Sequence, residues 1–416
     1  MKLFLSVFLL TVSSLPLFAQ SNNSPYSILG IGDIEDSYFN RTSGMANTGI
    51  AYRNNNFLIN NNPASYSALT NKLFNAEIGI RGTVMNYYGT GVDLSNNQSS
   101  DITFKKIIVG TKITNHWGSS AGLVPFSTQN YEFTATDATL GNDYYKGNGG
   151  VNRVYWGNSY EFFHHLSIGL NASYLFGTLQ QKKFSLDANG SELYSQDNKV
   201  NITNGLLEYG LQYYGRVGRR WDFAIGGTYS ARTNLLSRST LIIRGADSII
   251  LYPVNGETIA EKYFTIPTSF GLGISVTRDK RYSFLADFKH QDWSSLHYTD
   301  YNNYSLQNSN RFSAGFEFSK KKNYYNTLVE SKFFHAGFYY NQTYLYLKSY
   351  GQQIKDIGGT LGMGINSKRN LLSYTISVQY GVRGTPSPQI IQEKYASITF
   401  SISYRDIWNT SKVRYN

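Results

Sequence analysis

Between about residue 72 and residue 404, apolar and polar residues alternate with period two in run after run, broken by stretches rich in Gly, Asn, Asp and Ser. Successive side chains of a strand point to opposite faces, so this period predicts β-strands that are apolar on one side and polar on the other. Fourteen such runs are legible: 74–88, 103–113, 120–133, 152–161, 166–178, 206–217, 222–232, 266–277, 282–289, 311–319, 332–347, 356–365, 372–382 and 396–404. In the fifth, Leu166, Ile168, Leu170, Ala172, Tyr174 and Phe176 share one face, and Ser167, Gly169, Asn171, Ser173 and Gly177 share the other. Leu372, Tyr374, Ile376, Val378 and Tyr380 oppose Ser373, Thr375, Ser377, Gln379 and Gly381 in the same way.

Fourteen apolar faces in water would expose far more than the few hundred Å² that soluble monomers tolerate. A closed sheet in a bilayer, apolar outside and polar inside, satisfies both faces. The expected fold is therefore all-β, a 14-stranded antiparallel transmembrane β-barrel. The connections support this. Tight turns at His116-Trp117, Phe163-His164-His165, Arg219-Arg220, 278–281 and 367–370 alternate with longer polar stretches at 94–101, 136–149, 180–199, 236–262, 292–310 and 384–392. Short periplasmic turns and long outer loops are the pattern of bacterial outer-membrane barrels, and an even strand count leaves both termini periplasmic. Trp117, Trp221 and Trp408 fall at the short-turn end, where an interfacial girdle belongs.

One stretch refuses the period. Residues 44–64, GMANTGIAYRNNNFLINNNPA, are small and polar and end in a rigid Asn62-Pro63-Ala64 corner. They read as a compact plug lodged in the lumen, and luminal Gly271, Gly273, Gly362 and Gly364 leave room for it. Ahead of it, Lys2, an apolar run from Leu3 to Leu10 and Leu17-Phe18-Ala19 form a secretory leader cleaved after Ala19. That run is too short to span a bilayer as a helix. The expected organisation is a signal peptide at 1–19, an N-terminal extension and hatch at 20–71, and the barrel at 72–416.

Composition narrows the reading further. Aromatics make up 16% of the 416 residues and Gly numbers 38, which suits strands and turns. There is no Cys, so disulfides and thiolate metal sites are excluded. The net charge of +11 is scattered over the chain, which argues against a nucleic-acid surface. By parity, Glu208, Arg216, Arg232, Asp287, Lys289 and Glu317 face the lumen, where they are expected to pair with one another or with plug backbone. Pro125, three residues after Gly122, removes a ladder N–H from a sheet without edges and predicts a local break, the candidate for a lateral opening to the bilayer. No catalytic or metal set is expected. His164 and His165, as adjacent strand-turn residues, point to opposite faces, and His290 beside Asp292 lacks a nucleophile.

Gly44, Ala46, Gly49 and Ala51, followed by Asn62, Pro63 and Ala64, resemble the small-residue hatch segment and Asn-Pro-Ala corner of the FadL-like outer-membrane transporters. Asn54-Asn55-Asn56 stand where relatives often carry acidic residues. The resemblance implies passive, energy-independent uptake of a hydrophobic small molecule, with outer-membrane lipid as surroundings and no cofactor. FadL-like barrels also serve as non-transporting subunits of outer-membrane machines, in type IX secretion or barrel assembly. That alternative adds an outer-membrane protein partner.

Overall fold

The structure, a computed structural model, describes residues 24–407 except 36–37, 90–96, 138–140, 188–189, 253–259, 297–303, 325–326, 368–370 and 386–389. The expected leader and Trp408 lie outside the described residues. Fourteen strands form the wall: β1 (Leu73–Tyr88), β2 (Gln98–Lys112), β3 (Trp117–Thr128), β4 (Gly141–Phe162), β5 (Leu166–Leu186), β6 (Glu192–Val217), β7 (Trp221–Ser230), β8 (Ser269–Arg278), β9 (Tyr282–Gln291), β10 (Ser309–Tyr324), β11 (Thr327–Leu347), β12 (Gln352–Asn366), β13 (Leu372–Arg383) and β14 (Gln392–Ile407). Each pairs antiparallel with the next, and β14 returns to β1 from Leu73↔Ile407 to Tyr88↔Gln392, which closes the ring. All fourteen runs read from the sequence are wall strands. No helix among the described residues is long and apolar enough to cross a membrane.

The faces follow the chemistry. Ile168, Leu170 and Tyr174 on β5 and Tyr374, Ile376, Val378 and Tyr380 on β13 are exposed on the outside, whereas Ser167, Asn171, Ser173, Ser373, Thr375 and Ser377 are buried inside. Trp117 and Trp221 are exposed at the short-turn end. The buried core thus lies within the bore and not between layers. It is made by inward wall residues and by residues 24–71, which enter as three short 3-10 turns, Pro25–Ile28, Arg41–Met45 and Pro63–Ala68.

The long connections differ from the expectation. Much of 136–149, 180–199 and 236–262 is strand: β4, β5 and β6 stay paired as far as Asn142↔Leu186 and Leu186↔Glu192, and Thr233–Gly245 runs alongside β6 and Ala260–Ile266. The ends of β4, β5 and β6 are crowded with polar residues and show no clear alternation, while Thr233–Gly245 and Ala260–Ile266 bury Leu235 and Ile266 in a cluster with Leu179 and Ile202.

Two irregularities shape the wall near β2. Between Gly79 and Ile80 the β1–β2 register slips from Gly79↔Lys106 to Ile80↔Phe104, leaving Lys105 as an extra residue. Such a bulge turns two consecutive side chains to one face, and Lys105 and Lys106 are both buried inside. The β2–β3 ladder then runs only from Lys112↔Gly118 to Ile107↔Leu123. Beyond Leu123 that edge of β3 pairs with the N-terminal segment instead, Ile34↔Ser127 and Asp33↔Thr128. On its other edge β3 shifts register against β4 between Pro125 and Ser127. The missing N–H of Pro125 thus sits where the wall departs from a continuous ladder, and residues 33–35 fill part of the seam.

Candidate functional site

The site is the contact between the hatch and the inner wall. Asn40 opens the Arg41–Met45 turn by accepting from Thr42 N at 2.8 Å, which orients Arg41 outward from the hatch. Arg41 Nε donates to Glu317 on β10 at 2.7 Å, and Nη2 lies 2.6 Å from Glu330 on β11. Its guanidinium also stacks on Phe333, 3.8 Å from the ring centroid. Burial alone would lower the Arg41 pKa, but Glu317 and Glu330 outweigh it and hold the group well above its ordinary value. Glu317 is further held by the Tyr52 hydroxyl and by His335 Nε2, each at 2.9 Å. The carboxylate therefore gathers a hatch cation, a hatch phenol and a wall imidazole at one buried point.

The small-residue segment is used for close approach. Gly49 N and Ile50 N donate to Asp287 at 2.6 and 3.0 Å, so a wall carboxylate caps hatch backbone. A side chain on Gly44 would strike the Gly362 backbone at 2.8 Å, so only glycine lets hatch and β12 touch. Ala46, in the left-handed region at φ 53°, donates from N to Thr360 at 2.8 Å. Ala51 is buried. At the corner, Asn62 accepts from Ala64 N at 3.0 Å and donates to Leu211 O and Gly227 O of β6 and β7 at 3.1 and 3.2 Å. Pro63 starts the last 3-10 turn, and Ala64 O accepts from Ser167 on β5 at 2.7 Å. Further round the ring, Asn75 on β1 donates to Asn56 O at 2.9 Å, Ser24 donates to Glu393 on β14 at 2.6 Å, and Arg383 on β13 pairs with Asp33.

The six charges read as luminal separate into groups. Asp287 and Glu317 meet the hatch directly, as above. Glu208 pairs across the wall with Arg153 at 2.8 Å, and Lys289 Nζ lies over the Tyr38 ring at 4.9 Å from its centroid. Arg216 is exposed at the short-turn rim and bonds Asp222 at 2.7 Å, away from the hatch. Arg232 is exposed in the break between Ser230 and Thr233, outside β7. Arg216 and Asp222 still line the bore at its short-turn mouth, as parity predicts, whereas parity does not reach Arg232, which lies past the end of β7. Gly122 lies in the intact part of the β2–β3 ladder, where its Cα faces Ile108, so it is not at the gap itself. Of the four luminal glycines, Gly364 makes room for the Phe333 ring and not for the hatch.

Other charges escaped the sequence reading. Lys106 pairs with Glu77 at 2.5 Å, and Glu35 meets Lys105 at 3.3 Å and Arg81 at 3.6 Å beside the seam. Glu77 and Arg81 obey the same parity as Glu317 and were findable by it. The two lysines were not, because the bulge is invisible to a period. Arg41 is different again, since a hatch without periodicity gives no face to read.

Cavities remain on both sides of the hatch. The one at the long-connection end, 190 Å³, is lined among others by Asp33, Glu35, Arg81, Lys105, Asp356 and Arg383. The one at the short-turn end, 660 Å³, is lined by Arg53, Lys112, Glu161, Asp222, Lys321 and Glu330 among others. They share no lining residue, and the hatch stands between them. A 130 Å³ cavity lies behind Pro125, with Ile34, Arg153 and Glu208 in its wall.

A closed fourteen-strand antiparallel ring with residues 24–71 bonded into its bore defines the molecule as a filled β-barrel. Its backbone is similar to that of the toluene transporter TodX of P. putida (TM-score 0.62, 16% identity, 92% of this chain and 99% of that one). It is likewise similar to the toluene transporter TbuX of Ralstonia pickettii (0.58, 16%, 88% and 97%) and to a FadL homologue of Pseudomonas aeruginosa (0.60, 12%, 92% and 100%). At these identities the likeness is one of fold. The family is given by sequence: residues 1–416 match the family described as BamG, and the chain belongs to the BamG family. No curated protein matches it in sequence.

Proposed function

We propose that this protein is a closed, non-transporting barrel that acts as an accessory subunit of an outer-membrane barrel-assembly machine. The observation that carries this reading is the bolting of the hatch. Buried bonds join it to strands from β1 round to β14, among them the Arg41 link to Glu317 and Glu330. Removing one partner of such a buried pair leaves an unpaired charge and costs several kcal/mol, so withdrawal of the hatch is strongly opposed. The cavities on either side carry charged linings, which suits a filled scaffold better than a path for hydrocarbon. Membership of the BamG family over the whole chain fits the same role.

Passive uptake of a hydrophobic small molecule is the second reading, and the interrupted β2–β3 ladder at Pro125 favours it. Extraction of native membranes in mild detergent, followed by affinity purification and mass spectrometry, separates the two. A stoichiometric outer-membrane protein partner is the expected result. A partner-free barrel whose vesicles admit toluene, with uptake lost in Pro125→Val, would replace the accessory role with transport.

A further inference from the structure

The two tight turns at the foot of the β2–β3 and β4–β5 hairpins are joined. Glu161 N donates to His116 O at 2.9 Å, so the end of β4 is fastened to the turn before β3. The neighbouring turn passes through Phe163 and His164, both left-handed at φ 50° and 58°. Three residues, Phe163 to His165, connect β4 to β5, and left-handed positions are taken most readily by Asn and Gly, so a Phe-His pair there carries a conformational cost. The turn brings the His164 ring 5.5 Å, centroid to centroid, from that of His116. A ligand atom from each of His116, Glu161 and His164 falls within 4.8 Å of the others.

The surroundings prepare this cluster. His116 Nδ1 is buried and has no hydrogen-bond partner among the described residues. Glu161 divides its oxygens: Oε2 faces Lys112 Nζ at 3.7 Å and Arg53 Nη2 at 4.0 Å, while Oε1 faces His164 Nδ1 at 3.9 Å. The cations hold the carboxylate so that its other oxygen points at the imidazoles, as outer partners of a metal ligand do. His165 is not part of it, because its Nδ1 lies 3.1 Å from Tyr214 O.

We propose that His116, Glu161 and His164 bind a divalent transition-metal ion of the zinc class. Two imidazoles and a carboxylate are a zinc donor set, and three protein ligands leave a fourth position open. Tetrahedral coordination at zinc bond lengths needs donors about 3.4 Å apart. The His164 side chain, 79% exposed, is free to swing that distance. Ions enter from the 660 Å³ vestibule, whose lining includes Glu161 and His164. Once bound, the metal staples the turn below β2–β3 to the turn below β4–β5. That is the base of the shortest ladder between neighbouring wall strands, which spans only Ile107 to Lys112 on β2. The inference does not depend on the accessory role.

Full-length barrel purified in detergent without a polyhistidine tag, stripped with EDTA and dialysed, is titrated with zinc chloride by calorimetry. The expected result is one zinc per barrel at micromolar affinity or tighter. Affinity should fall at least about tenfold in His116→Ala and in His164→Ala and stay unchanged in His165→Ala. His164 is exposed, so its variant inserts normally and carries the test even where His116→Ala does not fold. Cobalt in place of zinc should give the visible absorption of a four-coordinate site in the wild type and in His165→Ala, and not in His116→Ala or His164→Ala. Absence of uptake, uptake indifferent to His164→Ala, or uptake lost in His165→Ala would each overturn the assignment.

Discussion

On the β9–β12 side of the ring, the hatch meets the wall through short bonds in full burial. Arg41 reaches Glu317 and Glu330 at 2.7 and 2.6 Å, and Asp287 takes two backbone N–H groups. On the β2–β3 side the ladder stops at Leu123 and residues 33–35 stand in the gap, with Glu35 3.3 Å from Lys105 and 3.6 Å from Arg81, while Asp33 is held by Arg383 of β13 at 2.5 Å. The same N-terminal segment is thus anchored at one side and inserted as wall material at the other. Short, multiply bonded pairs fix position most firmly, whereas the longer pairs of Glu35 at the seam hold it less tightly. Any conformational change in this molecule should therefore begin at β2–β3 while the Arg41 side holds.

The strongest way to break that contrast is Arg41→Ala. It leaves Glu317 and Glu330 buried without their shared cation and should destabilise the hatch by about 3–5 kcal/mol. Trypsin digestion of detergent-solubilised protein should then cut the hatch at a rate at least tenfold above wild type, while heat-modifiable gel mobility shows the barrel intact. A hatch as resistant as wild type would mean that the buried pair is not the anchor.

Gly44→Val comes next, because a side chain there must push hatch and β12 apart from a 2.8 Å approach. Overpacking of this kind costs about 1–3 kcal/mol, read as a lowered temperature of hatch proteolysis. Asp287→Asn is milder still. It keeps an acceptor for Gly49 N and Ile50 N but removes the charge, so about 1–2 kcal/mol should be lost by the same measure. An equal loss in Glu35→Gln, on the seam side, would erase the asymmetry between the two regions.

How much of this the sequence carries depends on periodicity. The wall was legible because lipid outside and a wet bore inside impose a period of two on every strand. The ladders beyond the apolar belt lost it, since Gln180, Gln181, Lys182 and Lys183 meet polar surroundings on both faces. The hatch was recognisable as an exception, and Asn62, Pro63 and Gly49 stand at its contacts, but nothing in the pattern pointed to Arg41. Pro125 stands at a register shift between β3 and β4, and a missing N–H is a local fact that a sequence can show. That Asp33 and Ile34 come to occupy the broken edge is a long-range fact and left no mark. The same holds for His116 and His164, which lie in different turns and meet only through the register of four strands.

The seam can be tested directly because the chain contains no cysteine. Ile34 and Ser127 stand directly opposite in an antiparallel pair, and opposed residues place their Cβ atoms about 4.5–5.5 Å apart, close to what a disulfide bridges. In Ile34→Cys with Ser127→Cys the bond should form in nearly all molecules on air oxidation and raise thermal stability, since a cross-link closing a loop of about 90 residues restricts the unfolded chain. A gel-shift assay with a thiol-reactive polymer measures the fraction. If residues 33–35 leave the seam for much of the time, oxidation will be slow and partial, and the reduced and oxidised proteins will differ in behaviour. Vesicle uptake of toluene that appears only after reduction would tie the Pro125 break to passage, whereas a copurifying partner retained in both states would make the seam a structural joint. Either result turns the contrast between the two sides of the ring into a statement about what the barrel does.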